Sequence, residues 1–433
     1  MNAGVLRATT NASALGAGVL TLAGGELQLA NDTLLNFGRN TTVTGDARVT
    51  SDRLTAGAGV THTLGTLSIG AQRLVVAGGA NVSSGTAGIT FGTTTFTAAP
   101  TFHIVNPTTG GTTLLTLGAV TNGGFGVTFT GNGNVAQTGI ISGAGGVTFG
   151  VAGGDAFSGV ATFNQINTFT GNTVVNSGTL VLSAGGAAGG VRGTITVNSG
   201  ARLNLSATDS LGYNNDSTRV GTVNVVGGMV NNTVAGNQAY RTNFNLTGAT
   251  MSSTGGGSYN FTTGFGITSL ASTLTSTVSG NVVARDAGPM IFTTAQGATA
   301  SGVDLLVSGV LSGNGITKAG AGTLHLSNTN TFTGVINLNG GILRAATAGI
   351  NGGNTTNGIV FNGGTLQAAT GGITTAKAIT LTGLALLTRM AMPPRSLGTS
   401  LVQGSSPRPV RARSRLVARR TRTAAALPSP AAA

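Results

Sequence analysis

The stretch LSGNGITKAGAGTLHLSNTNTFTGVINLNGGILRA, Leu311–Ala345, consists of short alternating segments separated by Gly/Asn turns. In an extended strand Leu324 and Leu326 point to one face and His325 points to the other. The pentapeptide NTFTG within this stretch recurs at Asn167–Gly171. One such strand buries too little apolar surface to offset the entropy lost when it is ordered. Successive units must therefore stack on one another.

Shorter matches extend the repetition along the chain. VNSG occurs at Val175–Gly178 and again at Val197–Gly200. GIISGAGGVT, Gly139–Thr148, is similar to GVLSGNGIT, Gly309–Thr317. Because periods of about 20 residues occur without a helical i, i+3, i+4 pattern, the sequence predicts an all-β solenoid with parallel strands and one coil per repeat. About 17 coils of about 22 residues would form a rod on the order of 80 Å long.

Composition divides the chain near residue 384. Residues 384–433 hold nine of the 22 basic residues, six of the nine prolines and no acidic residue. We expect residues 1–383 to form the solenoid, with the clearest repeats in 137–383. We expect residues 384–433 to be a disordered Arg/Pro/Ala-rich tail, because such a composition does not suit solenoid strands.

The tail also carries a hidden repeat. Read one base out of frame, Ser406–Leu416 can encode LTKAGAGTLTL, which agrees with Ile316–Leu326 at nine of eleven positions. We therefore interpret the tail as frameshifted repeat sequence, with the shift near Gly383–Leu384. The alternative is a basic tail that binds nucleic acid or anionic lipid.

Charge and cysteine content restrict the classes of function. The chain before the tail carries 13 basic and nine acidic residues, a net charge of only +4, which does not indicate a nucleic-acid-binding surface. It has no cysteine, hence no disulfide framework and no thiolate metal site. We find neither a signal peptide at the N-terminus nor an apolar run of about 20 residues that could form a membrane helix.

Catalysis on glycans would need two carboxylates facing one groove. The acidic residues are Glu26, Asp32, Asp46, Asp52, Asp155, Asp209, Asp216, Asp286 and Asp304. None recurs in phase with the repeats, and we predict that Asp209 and Asp216, which flank LGYNN, are turn residues. His62, His103 and His325 lack metal-binding spacing, and His325 should point outward from its strand. The sequence thus predicts no catalytic residue, no metal or cofactor site, and no enzyme activity.

Leu311–Ala345 resembles the autotransporter-associated β-strand repeat. That repeat has the pattern L-x-K-x-G-x-G-T-L-x-L, then N-T-Y/F-S/T-G, then a strand followed by G-x-L. The matching residues are Lys318, Gly320, Gly322, Thr323, Leu324, Leu326, Asn330, Phe332, Gly334, Gly341 and Leu343. Partial copies lie at Gly139–Ser183, Thr194–Leu205 and Ile359–Ala368.

The resemblance implies the passenger region of a Gram-negative type V secretion protein. Such a passenger is a right-handed parallel β-helix, exported by a signal peptide and threaded through a C-terminal outer-membrane barrel. We find neither export element here, and MNAGVLRA, Met1–Ala8, starts in the middle of a repeat. We therefore expect a passenger fragment truncated at both ends, from a protein located at the cell surface or outside the cell.

Three functions remain open. The first is a structural or adhesive surface passenger, whose partners would be host or surface glycans, host or surface proteins, or further copies of itself. The second is a β-helical enzyme acting on polysaccharides, and the third is a non-functional gene fragment. We expect no nucleic acid partner, and contact with a membrane only through the barrel that the resemblance implies.

Overall fold

The computed structural model describes residues 1–351 and 357–382, together with two further strands at 385–389 and 399–402. The strands, in chain order, are β1 Val5–Ala8, β2 Leu20–Leu22, β3 Glu26–Ala30, β4 Thr41–Val43, β5 Ala47–Asp52, β6 Gly57–Thr63, β7 Leu67–Ile69, β8 Arg73–Gly78, β9 Val82–Phe91, β10 Thr94–Phe96, β11 Thr101–Val105, β12 Thr112–Leu117, β13 Val120–Thr121, β14 Val127–Gly131, β15 Asn134–Gln137, β16 Ile141–Ser142, β17 Val147–Phe149, β18 Val160–Phe163, β19 Thr173–Val175, β20 Thr179–Leu182, β21 Gly193–Val197, β22 Arg202–Leu205, β23 Val220–Val226, β24 Met229–Asn232, β25 Asn243–Thr247, β26 Thr250–Ser253, β27 Ser258–Phe261, β28 Gly266–Ser269, β29 Ser276–Val278, β30 Asn281–Ala284, β31 Met290–Thr294, β32 Leu305–Val307, β33 Leu311–Gly313, β34 Ile316–Ala319, β35 Thr323–Leu326, β36 Ile336–Leu338, β37 Ile342–Ala345, β38 Ile359–Phe361, β39 Thr365–Ala368, β40 Ile379–Leu381, β41 Ala385–Arg389 and β42 Thr399–Val402. A single helix, α1 Thr347–Asn351, occurs in the described part of the chain. No helix in that part has the length and apolar character needed to cross a membrane.

The strands form four sheets. Sheet I has 17 strands and sheet II has 16, and both run almost the full length of the described chain. Sheet I contains β1, β3, β5, β8, β11, β14, β17, β19, β21, β23, β25, β28, β31, β34, β36, β38 and β40. Sheet II contains β6, β9, β12, β15, β18, β20, β22, β24, β26, β29, β32, β35, β37, β39, β41 and β42. Sheet III (β2, β4, β7, β10, β13 and β16) and sheet IV (β27, β30 and β33) add a third face over part of the length.

Parallel pairing between successive coils builds the molecule. Within sheet I, Val127 pairs with Val147 of the next coil, 20 residues later. Thr194 pairs with Thr222, 28 residues later. Coil length therefore varies, and about 16 coils stack along the rod. The predicted all-β parallel solenoid is confirmed, and it includes Asn11–Val135, where the sequence repeats less clearly.

Alternation of side chains places the core inside the coils. In β20 Leu180 and Leu182 are buried, whereas Thr179 and Val181 are half-buried on the outer face. Register pairing sets Leu180 above Leu203 in the next coil. Burial of one leucine side chain contributes about 1.5–3 kcal/mol to the free energy of folding. These leucines are buried only when the coils stack, so the stability of each coil depends on its neighbours. One continuous hydrophobic core results.

Aromatic residues stack in the same way. Phe102, Phe129 and Phe149 occupy equivalent inward positions of sheet I. Their ring centroids are 5.6 and 5.4 Å apart, with interplanar angles of 18° and 17°. In-register parallel strands bring like side chains into contact, and this geometry suits offset ring stacking.

Part of the predicted tail is described. β41 pairs in parallel with β39, and β42 pairs antiparallel with β41. The antiparallel pair differs from all the other strand pairings in the described residues. The remainder of residues 384–433, and with it the predicted disorder and the frameshift hypothesis, lies outside the described residues.

Candidate functional site

The pentapeptide NTFTG forms a corner that links three coils. Asn330 is 2% exposed. Its Oδ1 accepts a hydrogen bond from Leu311 N at 2.9 Å, in the preceding coil, and its Nδ2 donates to Gly349 O at 2.9 Å, in the following coil. Phe332 of the same corner is completely buried. An amide has both a donor and an acceptor, so one side chain can satisfy both neighbouring coils.

The second copy of the pentapeptide has the same contacts. Asn167 is buried, accepts a hydrogen bond from Ile141 N at 2.8 Å and donates to Gly190 O at 2.8 Å. Phe169 is completely buried, like its counterpart in the other copy. The resemblance between GIISG and GVLSG is explained as well, because each segment precedes an NTFTG corner by one coil and donates to its asparagine.

The lysine of the repeat pattern is also buried. Lys318 occupies an inward position of sheet I, in register with Phe292 and Leu338 of the neighbouring coils. Its Nζ donates to the carbonyl oxygens of Gly320 at 2.8 Å and Gly340 at 3.1 Å. Burial lowers the pKa of Lys318 to about 8. These contacts tie adjacent coils together and therefore assign Lys318 a structural role.

The acidic residues were the candidates for catalysis, and all nine lie among the described residues. Four form ion pairs with arginine in the N-terminal half of the chain: Glu26, Asp32, Asp52 and Asp155. Four others accept backbone hydrogen bonds: Asp46, Asp216, Asp286 and Asp304. Asp209 is the exception, since its buried Oδ1 has no hydrogen-bond partner in the described part of the chain.

The turn predicted around LGYNN is present. Asp216 Oδ1 accepts a hydrogen bond from Thr218 N at 2.9 Å, which closes a turn. The Thr218 hydroxyl and this backbone N–H together lower the pKa of Asp216. Asp209 also lies in a turn, closed by Gly212 N donating to Asp209 O at 2.8 Å. Of the two aspartates, only Asp216 is stabilised through its side chain.

The histidines are separate from one another. His62 is buried between Leu35 N and Asp52 O, each 3.3 Å from a ring nitrogen, and burial lowers its pKa. His103 Nδ1 lies 2.9 Å from Thr130 Oγ1. His325 is half-buried on the outer side of its strand, as predicted. Within the described residues no three His, Asp or Glu side chains are grouped so that they could hold a metal ion.

A different group of side chains gathers on the loops of successive coils. We call it the Tyr–Arg patch, and it consists of Tyr213, Arg219, Tyr240, Arg241, Phe265 and Arg285. Tyr213 is 42% exposed and Arg285 is exposed, whereas the other aromatic and arginine side chains of the patch are half-buried. The first residues of the patch lie in the coil between Thr194 and its partner Thr222, which is longer than the coil between Val127 and Val147.

Ring and guanidinium contacts connect the patch. The Tyr213 and Tyr240 rings meet edge to face with centroids 6.0 Å apart. Arg285 Cζ lies 4.4 Å from the centroid of the Tyr240 ring, and Arg241 Nη1 donates to Tyr213 O at 2.8 Å. Cation–π contact orders a guanidinium and still leaves hydrogen-bond donors available at its edge.

Arg219 completes the patch. It donates through Nη1 to the carbonyl oxygen of Arg241, and its Cζ lies 5.3 Å from the Phe265 ring centroid. Burial and the neighbouring charge of Arg241 lower the pKa of Arg219. Arg219, Arg241 and Arg285 form no ion pair with a carboxylate among the described residues.

Sequence reasoning did not identify this patch. The signal was available in composition, because the chain has only three tyrosines, Tyr213, Tyr240 and Tyr259, and all fall within one short region. Tyr259 is buried in the core, but the other two face the patch. The contact between Tyr213 and Tyr240 depends on the stacking of two irregular loops, which no local pattern reveals.

Comparison with known families identifies the repeats. Residues 156–182 and 316–345 match the passenger-associated-transport-repeat family. These matches confirm the resemblance to autotransporter passenger repeats. Each segment contains an NTFTG corner between strands of sheets I and II, so the family pattern corresponds to the stacking contacts of Asn167 and Asn330. Comparisons with curated proteins and with solved structures give no match.

Proposed function

We propose that this chain is a structural and adhesive β-helical passenger of an autotransporter, which presents an extended polar surface outside the cell. The repeats and the β-helix fit an autotransporter passenger, and passengers of this kind are surface or extracellular proteins. The observation that carries the proposal is the coil-to-coil amide bridge at Asn167 and Asn330, which coincides with the two passenger repeats.

The outer face of sheet I supports a role in contact with other molecules. One row of outward positions descends the rod through Thr101, Thr128, Thr148, Val174, Thr196, Asn224, Asn245, Thr268 and Thr293. Neighbouring members are about 4.8 Å apart, the spacing of paired strands. Asn245 Nδ2 donates to Asn224 Oδ1 at 2.8 Å, so part of the row is an amide ladder. Such a face offers many weak polar contacts along its length.

We further propose that the chain has no catalytic activity. Acid–base catalysis on a glycan requires a pair of carboxylates with different protonation states. Eight acidic side chains are held by arginine or backbone donors, which suits structural roles. Burial raises the pKa of Asp209 to about 6, but no described residue pairs with it as a nucleophile or base would.

One experiment tests both parts of the proposal. The purified chain is incubated with a panel of neutral and acidic polysaccharides and with intact host cells, and bound protein and released sugar ends are measured. We expect retention on at least one surface without the release of sugar ends. Absence of binding to every surface contradicts the adhesive role. Turnover that is lost in Asp209→Asn contradicts the absence of catalysis.

A further inference from the structure

The Tyr–Arg patch places aromatic rings and guanidinium groups side by side at the surface of successive coils. Its exposed or half-buried side chains are, apart from Phe265, all arginines or tyrosines: Tyr213, Arg219, Tyr240, Arg241 and Arg285. Of the described arginines outside the patch, Arg7, Arg48, Arg53 and Arg73 pair with carboxylates, whereas Arg39, Arg192, Arg202 and Arg344 do not. We propose that the Tyr–Arg patch binds a uronate residue of an acidic polysaccharide, an inference that rests on the adhesive function proposed above.

The arginines supply the recognition of charge. A guanidinium presents a planar fork of donors that fits a carboxylate with two parallel hydrogen bonds. Arg285 is exposed and held against the Tyr240 ring, and Arg241 is held by its bond to Tyr213 O. Both side chains are thus ordered before a ligand arrives, which reduces the entropy lost on binding.

The tyrosines supply a surface for the sugar ring. Tyr213 is 42% exposed even though its ring contacts Tyr240 edge to face at 6.0 Å. An aromatic ring offers a broad apolar surface to the C–H groups of a pyranose, and a few polar groups at its edge orient the ligand. Sugar ring and carboxylate are joined in one residue of a polyuronate, so the tyrosine ring and the arginines can act on the same ligand unit.

Two residues in the loops of the Tyr–Arg patch have an unusual backbone conformation. Among the described residues only Asp209 and Ala239 combine a side chain with positive φ, at 51° and 83°. Both lie in the patch loops, where Asp209 N donates to Asn237 O at 2.9 Å. Strained conformations of this kind concentrate at ligand sites.

The side chain of Asp209 donates or accepts no hydrogen bond among the described residues. It is 8% exposed, and its buried Oδ1 has no hydrogen-bond partner in the described part of the chain. The buried Nε of Arg219 is likewise unpartnered there. Burial raises the pKa of Asp209 and the charge of Arg285 opposes that rise. Unsatisfied buried polar atoms are costly, so these two atoms beneath the patch loops are a second local departure from ordinary coil packing.

A uronate fits the Tyr–Arg patch better than a nucleic acid or a polyphosphate does. A nucleic acid or a polyphosphate needs a continuous basic surface, whereas Asp209, Asp216 and Asp286 lie among or beside the arginines of this region. A sugar with one carboxylate per ring matches this mixed charge, because its hydroxyl groups can donate to the aspartates.

The test is isothermal titration calorimetry of the full chain with hexagalacturonate. The matched probe is the same hexamer with its carboxyl groups reduced to alcohols, and a separate arm uses hexamannuronate. We expect at least one acidic hexamer to bind about tenfold or more tightly than the reduced one. Tyr213→Ala and Arg285→Gln should each weaken that binding about tenfold or more, since each removes one half of the contact.

Three variants control for folding and for general charge. Arg202→Gln removes an exposed arginine on β22 and should leave the affinity unchanged. Tyr213→Phe keeps the ring and should bind nearly as the wild type does, and Arg285→Lys should lose affinity despite retaining the charge. All variants should retain the far-ultraviolet circular dichroism of the wild type.

Equal affinity for the acidic and reduced hexamers overturns the inference, as does the absence of binding to all three probes. It also fails if Arg202→Gln weakens binding as much as Arg285→Gln, because binding would then reflect net charge. Retention of the chain on another surface in that case leaves the adhesive function intact, so the two failures are distinguishable.

Discussion

Replacing Asn330 by alanine should destabilise the coils on both sides of the corner. The change leaves Leu311 N and Gly349 O, which the amide holds at 2.9 Å each, without partners. A buried polar group that loses its partner costs about 1–3 kcal/mol, so the two together should cost about 2–6 kcal/mol. Because stability in a solenoid depends on contacts between neighbours, the loss should be greatest close to the corner.

Two measurements check this expectation. Urea unfolding gives the change in free energy, and native-state hydrogen exchange locates it. We expect amides of β33 and α1 to exchange faster in Asn330→Ala, whereas those of β3 and β5 should be unchanged. Asn330→Asp keeps the acceptor for Leu311 N but buries a carboxylate with one oxygen facing Gly349 O, and should be no more stable than the alanine variant.

Asn337→Ala is the matched control from the next strand. Asn337 is half-buried and makes a single long hydrogen bond of 3.3 Å to Thr317 Oγ1. Its replacement should cost no more than about 1 kcal/mol. The reasoning is refuted if Asn330→Ala and Asn337→Ala unfold at the same urea concentration, because the buried amide would then contribute no more than a surface one.

Three further changes test other parts of the structure. Phe149→Ala should lower the free energy of unfolding by about 3–5 kcal/mol in urea titrations, since its ring contacts Phe129 at 5.4 Å and Phe163 at 5.8 Å. Burial raises the folded-state pKa of Asp209 to about 6 from 3.8, so the folded state binds the proton more tightly and stability falls as pH rises between these values. Asp209→Asn should therefore be more stable than the wild type at neutral pH and equal to it below the unfolded-state pKa, and a difference that does not change with pH would contradict this. Lys318 has a folded-state pKa lowered to about 8 from 10.5, so wild-type stability should rise as the pH rises between these values, and that rise should be absent in Lys318→Met when urea midpoints are compared.

The coil architecture was predictable because apolar and polar residues alternate along each short strand. Leu180 and Leu182 alternate with outward residues, and parallel stacking follows because no single strand can bury enough surface. The roles of Asn330 and Lys318 could not be derived in the same way. Both residues are polar and yet buried, and they hold partners that lie about one coil away along the chain.

The Tyr–Arg patch was beyond sequence reasoning for a related reason. The coil from Val127 to its partner Val147 is shorter than the coil from Thr194 to its partner Thr222, so the position of a loop residue cannot be counted from the previous repeat. The turns at Asp209 and Asp216 were predicted, but not that one carboxylate would be satisfied and the other left unpaired.

Distances along the rod test the central claim, that successive coils stack in parallel at the spacing of paired strands. The chain has no cysteine, so spin labels can be placed on cysteines substituted for outward-facing Thr128, Thr196 and Thr293. Four strand pairings separate Thr196 from Thr293 and seven separate Thr128 from Thr293. Double electron–electron resonance should give narrow distributions near about 19 Å and about 34 Å, in proportion to the number of coils. Broad distributions, or distances that do not increase with the number of pairings, would contradict the stacked solenoid.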